Sequence, residues 1–517
     1  MTMNGAESLV RTLVKGGVEV CFTNPGTSEM HFVAALDRVE GMRCVLGLFE
    51  GVVTGAADGY ARMADKPAAT LLHLGPGLAN GLANVHNARR ANTPMVNVVG
   101  DHATYHLQYD APLTSDIESL ARPMSHWVKT TASAEEVSRD AAQAIVEANT
   151  APGRIATLIL PANAAWDETQ APVVNVPPAP TRPAVDRDRL RDAAAKLRNG
   201  KRTVLLLSGV ALRAKALEAA DRIASASGAK LLAQQSNGRI ERGAGRVAIE
   251  RVPYVVDIAT KALGDVEQMI LVGALAPVGF FAYPGKPSVM TPKGCEIIPL
   301  AAPGDDLLQS LEWLADEVGA KAAPKLESLR PPPLSTGQLN GDKAMATIAA
   351  LLPENAVVID ESISAGRNSF HLTRNAAPHD FLQLTGGAIG IGLPLATGAA
   401  IACPDRKVVS LQADGSAMYT IQALWTQARE NLDIVTVLFA NRSYSVLHAE
   451  LRGVGAGEAG RNARRMLDLD QPELGFAKIA AGMGVESRRV ATGEELADAM
   501  RAALSRRGPY LIEAMVA

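Results

Sequence analysis

Residues 407–447, KVVSLQADGSAMYTIQALWTQARENLDIVTVLFANRSYSVL, decide the fold class. An apolar, β-branched run delivers Asp414 and Gly415 at its end, and a second such run ends at Asn441. Between them Met418, Ile421, Leu424 and Trp425 recur at helical spacing, which predicts one helix joining two parallel strands. In open α/β sheets, ligands collect at the carboxyl ends of strands. Asp414 and Asn441 are therefore expected to project hard oxygens toward one point. Such a pair suits magnesium, which completes its octahedral shell with phosphate oxygens and water. Gly415 and Ser416 would add backbone amides and a hydroxyl at a helix start, a setting for diphosphate.

The same alternation of short apolar runs and Ala-rich helical segments extends over the rest of the chain. VEVCFTNPG, RCVLGLFE, AATLLHLGPG, PMVNVVGD and ATLILP supply a first set of strands; TVLLLSG, KLLAQQ, MILVGA and CEIIPL a second; AVVIDE and YLIEAMV complete a third. Proline-rich stretches at 172–183 (PVVNVPPAPTRP) and 330–333 (RPPP) separate the sets, because proline cannot sit inside sheets or helices. The reading is α/β, with three domains at residues 1–171, 184–322 and 335–517, each a mainly parallel sheet covered by helices. The middle one is expected to be Rossmann-like.

Composition narrows the function. The chain has 517 residues, and its 51 basic against 54 acidic side chains create no field for nucleic acid or anionic lipid. Cys21, Cys44, Cys295 and Cys403 show no zinc or disulfide spacing and read as small buried hydrophobes in a reducing compartment. The N-terminus has no secretory or transit pattern. The weakly polar run from Gly386 to Cys403 is interrupted by glycines and Pro394, against a membrane span. A cytoplasmic enzyme of small molecules is expected.

The Asp-Gly-Ser turn, the following helix and Asn441, 27 positions after Asp414, resemble the cofactor motif of the thiamin diphosphate family that includes benzoylformate decarboxylase, pyruvate decarboxylase and acetolactate synthase. The first glycine of that motif is Ala413 here. Three further segments agree. Glu50, followed by Ala57-Asp58-Gly59-Tyr60-Ala61, is similar to the segment whose glutamate bonds the pyrimidine ring and drives the tautomer that makes the ylide. On its own a glutamate at a helix start reads equally as a first-turn residue. GGAIGIGLPLATG, 386–398, resembles the loop that wedges the cofactor into its bent form, with Ile389 as the wedge and the Gly387 carbonyl facing the pyrimidine amino group. FTNPGTSEM and LLHLGPGLANG resemble the benzoylformate decarboxylase branch, with Thr27 in the substrate-contacting position and His73 as the catalytic histidine.

The resemblance implies a thiamin diphosphate fold at both ends of the chain. It further implies Asp414, Asn441 and the Ser443 carbonyl as Mg2+ ligands, and Ser364, Gly415, Ser416, Tyr444 and Ser445 near the diphosphate. The sequence departs from the branch at the second active-site histidine, where Phe280 and Phe281 stand, at an aromatic pocket position, here Gln383, and at a glutamine that is here Asp101. The leading expectation is a decarboxylase or carboligase of 2-oxo acids, with an aldehyde or second 2-oxo acid as acceptor, working as a homodimer or homotetramer. Two rivals stand beside it: an acetolactate-synthase-like enzyme with bound FAD, suggested by G-P-G-x-x-N, and a non-catalytic cofactor-binding regulatory subunit.

Overall fold

The computed structural model describes residues 3–516. Its first sheet contains β1 (Val20–Asn24), β2 (Arg43–Leu46), β3 (Ala68–Leu72), β4 (Met95–Asp101), β5 (Trp127–Thr130) and β6 (Ile155–Pro161), in the order β2-β1-β3-β4-β6-β5 with every pairing parallel. Strands β3, β4 and β6 are buried along their whole length, which is why their sequences read as continuous apolar runs.

The middle of the chain supplies β7 (Thr203–Leu207), β8 (Lys230–Ala233), β9 (Ile240–Arg242), β10 (Glu250–Arg251), β11 (Gln268–Val272) and β12 (Glu296–Ala301). Five of them form a parallel sheet, β10-β8-β7-β11-β12. In chain order this is 3-2-1-4-5, the doubly wound arrangement.

The third sheet contains β13 (Ala356–Glu361), β14 (His379–Gln383), β15 (Val408–Ala413), β16 (Ile434–Ala440), β17 (Glu486–Val490) and β18 (Tyr510–Met515), ordered β14-β13-β15-β16-β18-β17. Counted within its own segment, that order repeats the first sheet's. Strand β9 leaves the middle sheet and pairs antiparallel with the outer edge of β14, Glu241 opposite Asp380. Gly238 and Gly243 bracket this short strand, but they do not announce which sheet it joins.

Two helices lock the end sheets together, α1 (Glu50–Ala64) and α3 (Gly392–Ala402). A Cβ at Gly59 would stand 2.1 Å from the Leu395 carbonyl oxygen, and one at Gly398 only 1.8 Å from that of Ala56. The helices approach backbone to backbone, and one continuous core carries Phe22 and Val45 from the first sheet with Val357, Leu382 and Ile434 from the third.

The segment after Asp414 differs from expectation. Instead of one helix there are two short ones, Asp414–Ala417 and Ala423–Arg429, with a turn between. The Thr420 hydroxyl donates to the Gly390 carbonyl at 2.7 Å, pulling the turn toward the 386–392 loop, and Met418 faces outward rather than into the core. The four cysteines are free thiols, but only Cys21 is buried as expected; Cys44 is exposed on a strand at the sheet edge, and Cys295 and Cys403 are half-buried. Among the described residues no helix is long and apolar enough to cross a membrane.

Candidate active site

The end of β1, the start of α1 and the helix α2 (Leu74–Arg90) meet around Glu50. Its buried carboxylate accepts from the Asn24 amide at 3.2 Å and from the Asn80 amide at 3.0 Å. Both donors are neutral side-chain amides. His73 ends β3, and a Cβ at Gly77 would touch both the Glu50 carboxylate, at 3.4 Å, and the His73 Cβ, at 3.3 Å. One small residue therefore lets the acid and the histidine converge.

Buried Glu29 orients that histidine. Its Oε2 lies 2.8 Å from His73 Nδ1 and accepts from the Gly26 amide at 2.8 Å, while Oε1 accepts from the Ser28 hydroxyl at 2.6 Å. A carboxylate facing Nδ1 makes that nitrogen the N–H and leaves Nε2 as the free acceptor. Gly26 is required here, since a Cβ would fall 2.1 Å from Nδ1. The sequence motif contained Glu29, but only the fold shows what it holds.

In the third sheet, Asp414 and Asn441 follow the neighbouring strands β15 and β16. Asp414 Oδ2 accepts from the Arg442 amide at 2.6 Å and Oδ1 from the Gly415 amide at 2.7 Å. Burial pushes this carboxyl above its ordinary range, and the backbone amides of Arg442, Gly415 and Asn441 oppose the rise. Asn441 Oδ1 accepts from the Ser443 amide at 3.1 Å, and its Nδ2 donates to the Ser445 hydroxyl at 3.1 Å. Tyr444 lays its ring over Gly415, where a Cβ would stand 2.3 Å from the ring.

The loop carrying Gly387 and Ile389 is gripped on both sides. Asn87 of α2 accepts from the amides of Gly386, at 3.1 Å, and Ala388, at 3.3 Å, and donates to the Ala388 carbonyl at 2.7 Å. Glu361, buried at the end of β13, accepts from the amides of Gly390, Ile391 and Gly392 at 2.7, 3.1 and 2.8 Å. Gln412 donates to the same carboxylate at 2.9 Å. Burial pushes Glu361 up, and these four donors pull it back. Asp58 of the A-D-G-Y-A segment pairs with Arg62, whose guanidinium reaches the Gln383 carbonyl at 2.8 Å and the Thr385 hydroxyl at 3.1 Å.

The family models for the thiamine pyrophosphate enzyme N-terminal and C-terminal TPP binding domains match residues 3–126 and 364–514. "Putative acetolactate synthase large subunit IlvX" of Mycobacterium tuberculosis is 52% identical over 99% of both chains. Benzoylformate decarboxylase of Pseudomonas aeruginosa is 30% identical over 97% of this chain and 96% of that protein. The chain belongs to the thiamine pyrophosphate enzyme family. A solved thiamine diphosphate-dependent 4-hydroxybenzoylformate decarboxylase of Rhodococcus jostii superposes with a TM-score of 0.87 at 25% identity, covering 99% of each chain.

This thiamin diphosphate enzyme offers a donor set that fits its family's usual metal. The Asp414 carboxylate is buried and bonded only to backbone amides, so it keeps lone pairs and lacks a cationic partner. Among the described residues no cluster of three His, Cys, Asp or Glu side chains could hold a metal by itself. A carboxylate oxygen beside the Asn441 amide oxygen is the hard-oxygen chemistry that Mg2+ takes, its shell completed by phosphate oxygens and water.

Backbone strain marks the same places. Leu74 (φ 49°), Ile363 (φ 49°) and Arg442 (φ 55°) are the left-handed residues, among those described, that are neither Gly, Asn nor Asp. They adjoin His73, Ser364 and Asn441. Each such conformation costs about 1–3 kcal/mol and persists at sites that depend on it.

Other predicted residues lie differently. Thr27 is exposed, and Ser364 is half-buried. The Ser416 hydroxyl turns inward, accepting from Gln412 at 3.1 Å and donating to the Ala413 carbonyl at 3.3 Å, which leaves its amide as the part available to a diphosphate. Gln383 is buried, with Arg251 donating to its amide oxygen and its own amide donating to the Gln235 carbonyl, so it forms part of a domain junction. Asp101 is also buried, and burial raises its carboxyl. Phe280 lies against Gly387, its ring 2.6 Å from where a Cβ would stand.

Proposed function

We propose that this enzyme decarboxylates 2-oxo acids bearing a bulky apolar or aromatic group, in the manner of benzoylformate decarboxylase, and passes the remaining carbon unit to a proton or to a second carbonyl. The observation that carries this reading is the Glu29–His73 pair beside Glu50. Thiamin diphosphate, when bound, supplies the electron sink that holds the pair left behind as the carbon–carbon bond breaks and carbon dioxide departs. The protein's own part is to position and to move protons. Glu50 exchanges a proton at the pyrimidine end. His73 Nε2 faces the substrate and handles its proton, the task an imidazole held in one tautomer by a carboxylate performs. Asp414, Asn441 and the Ser443 carbonyl hold Mg2+. Ser364, Gly415, Ser416, Tyr444 and Ser445 surround the diphosphate, and Gly387 and Ile389 meet the pyrimidine and the bend of the cofactor.

The substrate class is supported by an aromatic wall. Tyr254, Phe280 and Phe281 stack with centroids 5.5 and 4.9 Å apart, and the Tyr283 hydroxyl ties the wall to Glu450 at 3.3 Å. Phe280 and Phe281 are 41% and 56% exposed, an arrangement explained by an apolar ligand rather than by folding. Turnover of aromatic and branched 2-oxo acids against pyruvate, with carbon dioxide and carbon products quantified, tests the reading. Preference for pyruvate with acetolactate as product would establish the acetolactate-synthase-like rival. No turnover of any 2-oxo acid would leave the regulatory subunit.

The site needs two copies of the chain under this proposal. Among the described residues no hydrogen bond joins the Glu50 group to the Asp414 group. Each is flanked by exposed apolar side chains, Met30 and Leu48 beside the first, Met418, Tyr419 and Leu447 beside the second. A homodimer, or a pair of them, would cover both and bring Glu50 of one copy to Asp414 of the other. Mixing inactive Glu50→Gln and Asp414→Ala proteins with subunit exchange is expected to restore activity; no recovery counts against the shared site.

A further inference from the structure

A flavin was expected under the rival reading, and the middle domain is where a dinucleotide would be sought. Its strand order, 3-2-1-4-5, is that of dinucleotide-binding folds. In those folds the pyrophosphate rests on the N-terminus of the helix after the first strand, a glycine in the turn lets it approach, and an acid after the second strand takes the ribose.

Each of these three features is altered. The turn after β7 reads Gly209-Val210-Ala211-Leu212-Arg213-Ala214, and the close-approach glycine is Ala211, which is fully buried. After β8 the ribose acid is replaced by Gln234, whose side-chain oxygen accepts from the Leu275 amide at 2.9 Å. That bond spans the crevice between the two halves of the sheet. Gly273 narrows it further, since a Cβ there would meet Leu307 at 2.4 Å and the Ser208 carbonyl oxygen at 2.9 Å.

The third change is chemical. The helix Ala214–Ser227 follows the turn, and its first amide, Ala214, donates to Glu241 at 2.8 Å. The Glu241 carboxylate also meets Arg239 at 3.2 Å, Arg246 at 3.3 Å and Arg213 at 3.9 Å. A helix start with three guanidinium groups is what a phosphate would seek, and a side chain of the protein already occupies it. The carboxylate arrives on β9, the strand that crosses to the third sheet. Burial and the neighbouring Arg239 disfavour the cation on Arg213, while Asp65, Asp380 and Glu241 support it. The cavity beside this turn, between the first and middle domains and lined by Arg62, Asp65, Arg182, Arg213 and Arg239, is about 290 Å3. That is the lower end of drug-sized pockets, of roughly 300–1,000 Å3, and FAD is larger than a drug.

We infer that Glu241 is a built-in counter-anion that fills the phosphate position of the middle domain, so that this domain accepts neither FAD nor another dinucleotide. The inference concerns the middle domain alone and does not depend on the substrate proposed above.

The test uses the full-length enzyme saturated with thiamin diphosphate and Mg2+, so that the catalytic diphosphate site is already filled. The wild-type protein is expected to be colourless, to release no flavin on heating and to give no binding isotherm with FAD, ADP or inorganic pyrophosphate. Glu241→Gln keeps the shape but removes the charge, and is expected to bind pyrophosphate at least tenfold more tightly than wild type. Glu241→Asp keeps the charge and draws the carboxylate back from the Ala214 amide, so a smaller gain is expected. Flavin in the wild-type protein, or stoichiometric FAD binding to it, overturns the inference. So does a folded variant of either kind with no gain in pyrophosphate affinity. The wild-type titrations decide the matter should neither variant fold.

Discussion

The first and third sheets share one strand order, yet the groups at their carboxyl edges have opposite surroundings. Around Glu50 the donors are the neutral amides of Asn24 and Asn80, and a histidine held by its own carboxylate stands beside it. Around Asp414 every donor is a backbone N–H, and burial drives the carboxyl upward. The proposed roles, proton exchange for the first and metal binding for the second, follow these neighbours: only the second has a buried carboxylate whose charge is met by backbone dipoles alone and would be stabilised by a cation. The topology alone therefore does not assign a task.

The comparison breaks most visibly at Asp414. Asp414→Ala is expected to remain folded by circular dichroism but to lose Mg2+-dependent thiamin diphosphate affinity by about a hundredfold or more, given that lesser, outer-shell changes cost 10–100-fold. Undiminished affinity in calorimetry would sink the metal assignment. The direction of the pKa shift adds a pH test. Proton and metal compete for the same oxygens, and burial raises the carboxyl, so the proton wins at a higher pH than at an ordinary aspartate. Mg2+-dependent affinity should fall on acidification above the normal aspartate range and be fully present near neutrality.

At the other sheet, Glu50→Gln keeps volume and hydrogen bonding but cannot exchange a proton. Deuterium exchange at the thiazolium C2 is expected to slow by roughly 10²–10⁴-fold, the usual scale of general acid–base contributions, with little change in cofactor affinity. A near wild-type exchange rate means that Glu50 only begins a helix.

A smaller effect is expected where the two halves meet. Glu361→Gln turns an acceptor of three backbone amides partly into a donor, at a cost of about 1–3 kcal/mol. Thermal stability should fall, and cofactor affinity should fall with it, because the loop bearing Ile389 loses one of its two clamps. Loss of stability with unchanged affinity would mean that the clamp supports the fold but not the site. Smallest of the four, Glu29→Gln should lower kcat about tenfold with little change in KM, as outer-shell orienting groups do. An unchanged kcat would remove Glu29 from the positioning of His73.

The candidate site residues could be proposed from the chain because their motifs are local. Asp414, Gly415, Ser416 and Asn441 follow strand ends that apolar runs make visible, and Glu50 and His73 stand at comparable breaks. Glu29, Asn80 and Asp58 lay inside recognisable segments, but nothing in those segments says which side chain each would hold. Asn87, Arg62 and Glu361 act across separations of about 300, 320 and 30 positions, and no local pattern predicts such partners. The helix expected after Ser416 failed for a related reason, since a tertiary bond from Thr420 to Gly390 outweighed helical periodicity.

By itself, then, the sequence determined the alternation of strands and helices, the family and the cofactor, because burial patterns and strand-end motifs are properties of short segments. Only the tertiary structure decided which donors each carboxylate meets, how the 386–392 loop is clamped, and that Glu241 reaches the helix start of the middle domain. Those outcomes depend on which distant groups share one buried volume, where an unpaired charge or donor is too costly to leave and must find its partner wherever the fold brings one.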